Sequence, residues 1–142
     1  MDFKKLLIGS IVGGILIFLL DWLIFGNLLM NFMKDNPGTA LNVNRGKDDM
    51  QFMYLAVGSL SGGALLAYIF EKASVNSLGS GLVTGGVVCF FMNLSNDATM
   101  YGWSNVMSKK GMTADILGGV LIGAVVGAVI GLINSKLTKT SA

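Results

Sequence analysis

Residues 113–133 read TADILGGVLIGAVVGAVIGLI, and after Asp115 no polar side chain interrupts positions 116 to 133. A helix needs roughly 20 mostly apolar residues to cross the hydrocarbon core of a bilayer. This stretch has that length, and its apolar residues run continuously rather than alternating, which excludes a strand of a membrane barrel. The helix is expected to open with Thr113 as N-cap and Asp115 in its first turn, where a carboxylate suits the positive end of the dipole. Gly119, Gly123, Gly127 and Gly131 recur every four residues and so share one face. Lipid supplies no hydrophobic drive between helices, so a stripe of small residues marks close packing of backbones. The stripe serves either the bundle itself or a seam between two copies of the chain.

Three stretches upstream share this character. Spans are expected at about 6–33, 50–70, 78–101 and 113–133. The first is apolar as far as Phe25, and Asn36-Pro37-Gly38 must end its helix. Gly9 with Gly13, Gly58 with Gly62, and Gly81 with Gly85 repeat the four-residue spacing. The fold expected is all-α: one polytopic membrane domain over residues 1–142, with four helices in a glycine-rich bundle.

Composition agrees. Only 13% of the 142 residues are charged and 53% are apolar, whereas soluble domains carry about 25% charged residues. Mean hydropathy is +0.68. The chain has no histidine and a single cysteine, Cys89. That removes imidazole acid–base catalysis, Ser/His and Cys/His nucleophiles and an internal disulfide. There is no phosphate-binding glycine loop and no basic patch with interleaved aromatics, so neither a nucleotide cofactor nor nucleic acid is expected. No cofactor of any kind is implied.

Lys4-Lys5 precedes the first apolar run, but no small-residue cleavage site follows it, so the run reads as an uncleaved span. Basic residues divide five against five between the two sides, so the positive-inside count is silent. Lys4-Lys5 beside the first helix tips the expectation toward cytoplasmic termini in a cell inner membrane.

Shifting the third span onto the first by 72 positions aligns Gly9, Gly13, Gly14, Phe18 and Asp21 with Gly81, Gly85, Gly86, Phe90 and Asn93. Gly62-Gly63 then matches Gly118-Gly119 at an offset of 56. Two repeated hairpins about a pseudo-two-fold would bring Asp21 and Asn93 face to face. Chance alignment of glycine-rich helices is the competing reading.

Polar side chains gather at one end of the spans. The first span reaches Asp21, and the third reaches Asn93, Asn96 and Asp97, while Asp115 opens the fourth at the same membrane face. An ionised carboxylate facing lipid costs at least a few kcal/mol, so such groups face the bundle interior or water. Asp21, Asn93, Asn96, Asp97 and Asp115 are therefore the candidate ion- or ligand-binding residues of an outer vestibule. The alternative sets Asp21 and Asp97 at headgroup level beside an aromatic belt of Trp22, Tyr101 and Trp103. Met30 with Met33, and Met50 with Met53, each place two thioethers on one helix face; thioethers suit Cu(I), but methionine is also an adaptable partner-binding residue.

Two resemblances bear on function. The run Asn93 to Asp115, with Thr113-Ala114-Asp115-Ile116 opening the last helix, faintly resembles bacterial lipoprotein signal peptidase, a four-span aspartyl enzyme. No arginine follows Asp97, however, and Tyr101-Gly102-Trp103-Ser104-Asn105 offers no second acid. More of the chain is similar to a group of small four-helix bacterial inner-membrane proteins with no assigned activity. The similarity lies in Trp22-Leu23-Ile24-Phe25-Gly26 closing the first span, the asparagines of the third, and the Asp115 start of a glycine-rich fourth; the tyrosine usual beside the tryptophan is absent.

The leading expectation is a non-enzymatic structural or accessory subunit, or a homo-oligomer, held in the bilayer and presenting a polar, methionine-rich outer surface to a larger membrane complex. The alternative is a small cation- or proton-coupled transporter or channel using the carboxylate and amide cluster. Cu(I) binding by the methionine pairs and a membrane aspartyl peptidase are lesser readings.

Overall fold

A computed structural model describes residues 2–43, 45 and 47–140. Helix α1 (Phe3–Leu23) starts at Asp2, whose carboxylate accepts the backbone N–H groups of Lys4 and Lys5 at 2.9 and 3.3 Å. It passes into a π-helical turn (Ile24–Leu28) and the short α2 (Met30–Asp35), which ends at Asn36 before Pro37. α3 (Phe52–Lys72), α4 (Leu78–Trp103) and α5 (Lys109–Thr140) follow. Among the described residues, four helical stretches are long and apolar enough to cross a membrane: Phe3–Leu28, Phe52–Lys72, Leu78–Trp103 and Lys109–Thr138. Large apolar side chains lie exposed on their outward faces, Ile11 and Leu19 on α1, Val83 on α4 and Leu117 and Leu121 on α5 among them. Water would not tolerate such faces in a monomer, whereas acyl chains cover them. The chain is an all-α, four-helix, multi-pass membrane protein.

The start of the last helix differs from expectation. α5 begins at Lys109, and Ser108 caps it: its hydroxyl accepts the Gly111 N–H at 3.0 Å and donates to the Asn36 carbonyl at 2.6 Å. Thr113 is not the N-cap; its hydroxyl bonds back to the Lys109 carbonyl at 3.0 Å from inside the helix. Serine upstream caps better because it satisfies an orphan N–H and ties down the preceding chain at once. Asp115 consequently sits beyond the first turn, on the wall of the bundle. The Asn36–Ala40 segment lies along the α4–α5 loop, with Pro37 bridged to Met107 and the Ala40 N–H donating to the Asn105 carbonyl at 3.0 Å. At Gly38 a Cβ would strike the Asn105 and Val106 backbone, so only glycine allows that approach.

Consecutive spans pack as antiparallel hairpins, α1 with α3 and α4 with α5; α1 against α5 joins the two, while α3 and α4 barely meet. The Asp2 N–H donates to Glu71 Oε1 at 2.6 Å and Lys5 Nζ to Thr138 Oγ1 at 2.9 Å. Those bonds gather the start of α1, the last turns of α5 and the end of α3 at one face. The core at this end is Leu66, Phe70, Val75, Ile122, Val126 and Ile130. Asn134, buried here, donates Nδ2 to the Val75 carbonyl at 3.1 Å and closes the turn after α3.

The α4–α5 seam has a four-residue register on both helices. Gly81 packs on Gly127 and Gly131, Gly85 on Gly123 and Gly127, Cys89 on Gly123, and Asn93 on Gly119. The next step along the seam sets Asp97 beside Asp115, close enough for their carboxyl groups to interact electrostatically. The glycine stripe of α5 is thus occupied within the chain, and the intermolecular-seam reading of it falls. In the first hairpin Gly9 meets Ala67, and Gly13 and Gly14 meet Gly63 and Leu60. The triads Gly9-Gly13-Gly14 and Gly81-Gly85-Gly86 therefore do the same job 72 residues apart. The second half of the repeat does not follow, because Gly63 abuts Gly13–Gly14 whereas Gly118 and Gly119 make room for Phe25 and Asn93. The contact of α1 with α5 likewise has no equal counterpart between α4 and α3, so the packing lacks two-fold symmetry.

Candidate functional site

Beyond the glycines the seam opens. Ile17, Asp21 and Phe25 from the first span, Cys89 and Asn93 from α4, and Asp115, Gly119 and Ile122 from α5 line a cavity of about 370 Å³. Three of the five residues expected at a polar site, Asp21, Asn93 and Asp115, share this space. Asn93 fits because Gly119 has no side chain: a Cβ there would overlap the Asn93 amide. Gly119, read from the sequence as a packing residue, is therefore also the recess that seats a polar group.

Asp97 lies one helical turn beyond Asn93 and is 1% exposed. Its Oδ1 accepts from Asn96 Nδ2 at 3.2 Å, while its Oδ2 is buried with no donor. Buried carboxylate oxygens ordinarily find donors, and an orphan costs free energy comparable to a lost hydrogen bond. The group beside it is the Asp115 carboxyl. Asn96 itself is exposed on α4 and reaches the cluster only through this edge contact.

The aromatic residues behave differently from the acids. Trp22 and Trp103 are 65% and 73% exposed at this end of the bundle, as belt residues are. The aspartates are less open, for Asp97 is buried and Asp21 and Asp115 are partly buried.

Directly after Asp21, α1 takes its π turn. The Leu29 N–H donates to the Ile24 carbonyl at 2.7 Å, and Asn27 Nδ2 caps the Trp22 carbonyl at 2.8 Å. A π-bulge inserts a residue and re-aims the side chains around it, and such bulges are frequent at functional sites. Here Phe25 comes to lie on Gly118. Asp21 and Phe25 also border a second cavity of about 510 Å³ between the first span and α3. Asp21 stands between the two spaces.

The methionine pairs lie on different elements. Met30 and Met33 sit on α2, which packs on the π turn and α5; Met50 precedes α3 and Met53 lies in its first turn, 43% and 75% exposed. Among the described residues no three acidic or thiol groups converge to hold a metal ion.

Cys89 and Phe25 escaped the sequence reading of the site. The signal for Cys89 was present: Gly81, Gly85, Cys89, Asn93 and Asp97 are each four apart, the spacing of the α5 stripe. Phe25 carries no comparable signal, since its position depends on the π turn. No protein-family model, curated protein or solved structure matches this chain.

Proposed function

We propose that this protein is a small proton-coupled transporter, in which Asp97 and Asp115 bind the proton and Asp21 links them to the cavity beside α3. The observation that carries this reading is the buried Asp97 oxygen with no donor, set against a second acid. Two carboxylates in contact away from bulk water repel and cannot both ionise, so one proton is shared. The absence of a three-acid cluster among the described residues favours a proton over a metal ion. Burial of Asp97 also favours proton storage over peptide hydrolysis, which needs both acids open to water and substrate. With cytoplasmic termini in an inner membrane, the pair lies toward the outer leaflet and the glycine-packed end, a glycine zipper, closes the inner one.

Proteoliposomes holding a pH-sensitive dye test this. Under an imposed potential the wild type is expected to acidify or alkalinise the lumen, and the Asp97→Asn/Asp115→Asn protein to do so on the order of a hundredfold more slowly. Equal rates would overturn the reading.

A second reading, an accessory subunit or homo-oligomer, draws on α3. That helix packs almost wholly on α1, and Gly58 on its surface has open space before it. Cross-linking in native membranes that traps α3 against a second polypeptide would favour it.

A further inference from the structure

We propose that the cavity between the first span and α3 binds a weakly hydrated organic ammonium cation, with Asp21 as its counter-ion. The inference deepens the transporter reading by naming the cargo, and it rests on Asp21 serving the proton cluster as well. Phe18, Trp22 and Phe25 from one side and Phe52 and Tyr54 from the other wall this space, and among the described residues Asp21 is the one charged residue on it. Aromatic faces carry negative quadrupole potential and attract ammonium groups, most strongly where water is excluded. The volume of about 510 Å³ is in the range of small-molecule sites, which run from roughly 300 to 1,000 Å³. An anion meets only repulsion here. A small metal cation would have to trade its water for one carboxylate and several rings, whereas a quaternary or substituted ammonium brings apolar surface that the rings cover.

Trp22, 65% exposed, and Tyr54, 72% exposed, put the mouth of the cavity on the lipid-facing flank of the bundle. An ammonium group arriving there belongs either to a free amphiphilic amine or to the choline headgroup of a lipid, and the chemistry recognised is the same. The titratable groups around Asp21 are Tyr54 on α3 across this cavity, and Asp115 on α5 and Cys89 on α4 across the other, with Asp97 in contact with Asp115. A cation seated on Asp21 favours the ionised carboxylate, so a proton leaves the acid cluster to bulk water as the cation binds. A cation on Asp21 and the proton of the Asp97–Asp115 pair thereby exchange through one acid cluster.

The probe is benzyltrimethylammonium, with neopentylbenzene as its uncharged isostere, titrated calorimetrically into the full-length protein in detergent in two buffers of different ionisation heat. The wild type is expected to bind the cation, release protons, and bind the isostere at least about tenfold more weakly. Asp21→Asn is expected to weaken cation binding by about tenfold or more, corresponding to roughly 1.4 kcal/mol, while Asp21→Glu restores it. Trp22→Leu, which keeps the apolar bulk, weakens it too. Equal binding of cation and isostere, or an Asp21→Asn protein that binds normally while Asp21→Glu is folded, overturns the proposal. Nanodiscs distinguish the sources: suppression of probe binding by phosphatidylcholine but not phosphatidylglycerol assigns the site to a lipid headgroup, and equal binding in both assigns it to a free amine. If the probe fails to bind while the Asp97/Asp115-dependent proton flux persists, this inference falls and the transporter reading stands. If the probe binds to a protein without flux, the reverse holds.

Discussion

Replacing Gly127 with valine is expected to separate α5 from α4 and to lower stability in detergent by about 3 kcal/mol, the upper end of the usual cost of overpacking. A Cβ at position 127 would overlap the Gly81 carbonyl oxygen, meet the Gly85 Cα at 2.9 Å and touch the Phe70 ring at 3.0 Å. Two of these neighbours are backbone and Phe70 is fully buried, so none can yield without the helices moving apart. A membrane bundle has no hydrophobic drive to hold widened helices together, and the loss of close van der Waals contact is therefore felt in full. Gly79→Ala is the control. Nothing lies within 4 Å of a Cβ there, and removing a helical glycine stabilises by roughly 0.5–1 kcal/mol. Denaturation in mixed micelles, followed by circular dichroism, should displace the two midpoints in opposite directions; a Gly127→Val midpoint equal to that of the wild type would contradict the seam.

The second large effect concerns Asp97. Asp97→Ala deletes the buried acid and leaves Asp115 without its partner, at a cost of about 1–3 kcal/mol. Asp97→Asn should preserve the fold, because the amide fills the same volume and supplies an N–H donor to Asp115. The shared proton then has no role, and proton flux should vanish from a protein that remains folded. Comparing the two variants separates structure from function: if Asp97 served only to pack, the folded Asp97→Asn protein would keep its proton flux.

How much of this was legible before the structure follows from what each feature depends on. The spans, the four-residue glycine stripe and the clustering of acids at one end depend on local composition and helical period, which the chain displays directly. The meeting of Asp97 with Asp115 depends on antiparallel register between α4 and α5, and no local pattern states a register. Its trace was the matching spacing of four from Gly81 to Asp97 and from Asp115 to Gly131, which pairs small residues at one end and acids at the other. The start of α5 was misplaced because Ser108 outcompetes Thr113 as a cap through a tertiary bond to the Asn36 carbonyl, a partner distant in sequence. The π turn after Asp21 was likewise hidden, since Ile24–Leu28 reads as ordinary helix, and with it the position of Phe25 over Gly118. Glycines 118 and 119 illustrate the general difficulty: a missing side chain has the same sequence signature whether it admits a backbone, a ring or an amide.

The central claim is that one proton is shared by Asp97 and Asp115 inside the bundle. Infrared spectroscopy of the protein in lipid at neutral pH, in H₂O and D₂O, reads it directly. The account predicts a protonated-carboxyl C=O band in the wild type that shifts slowly on deuteration and disappears in both Asp97→Asn and Asp115→Asn. A wild-type spectrum with carboxylate bands alone, or a protonated band that survives both substitutions, would contradict it.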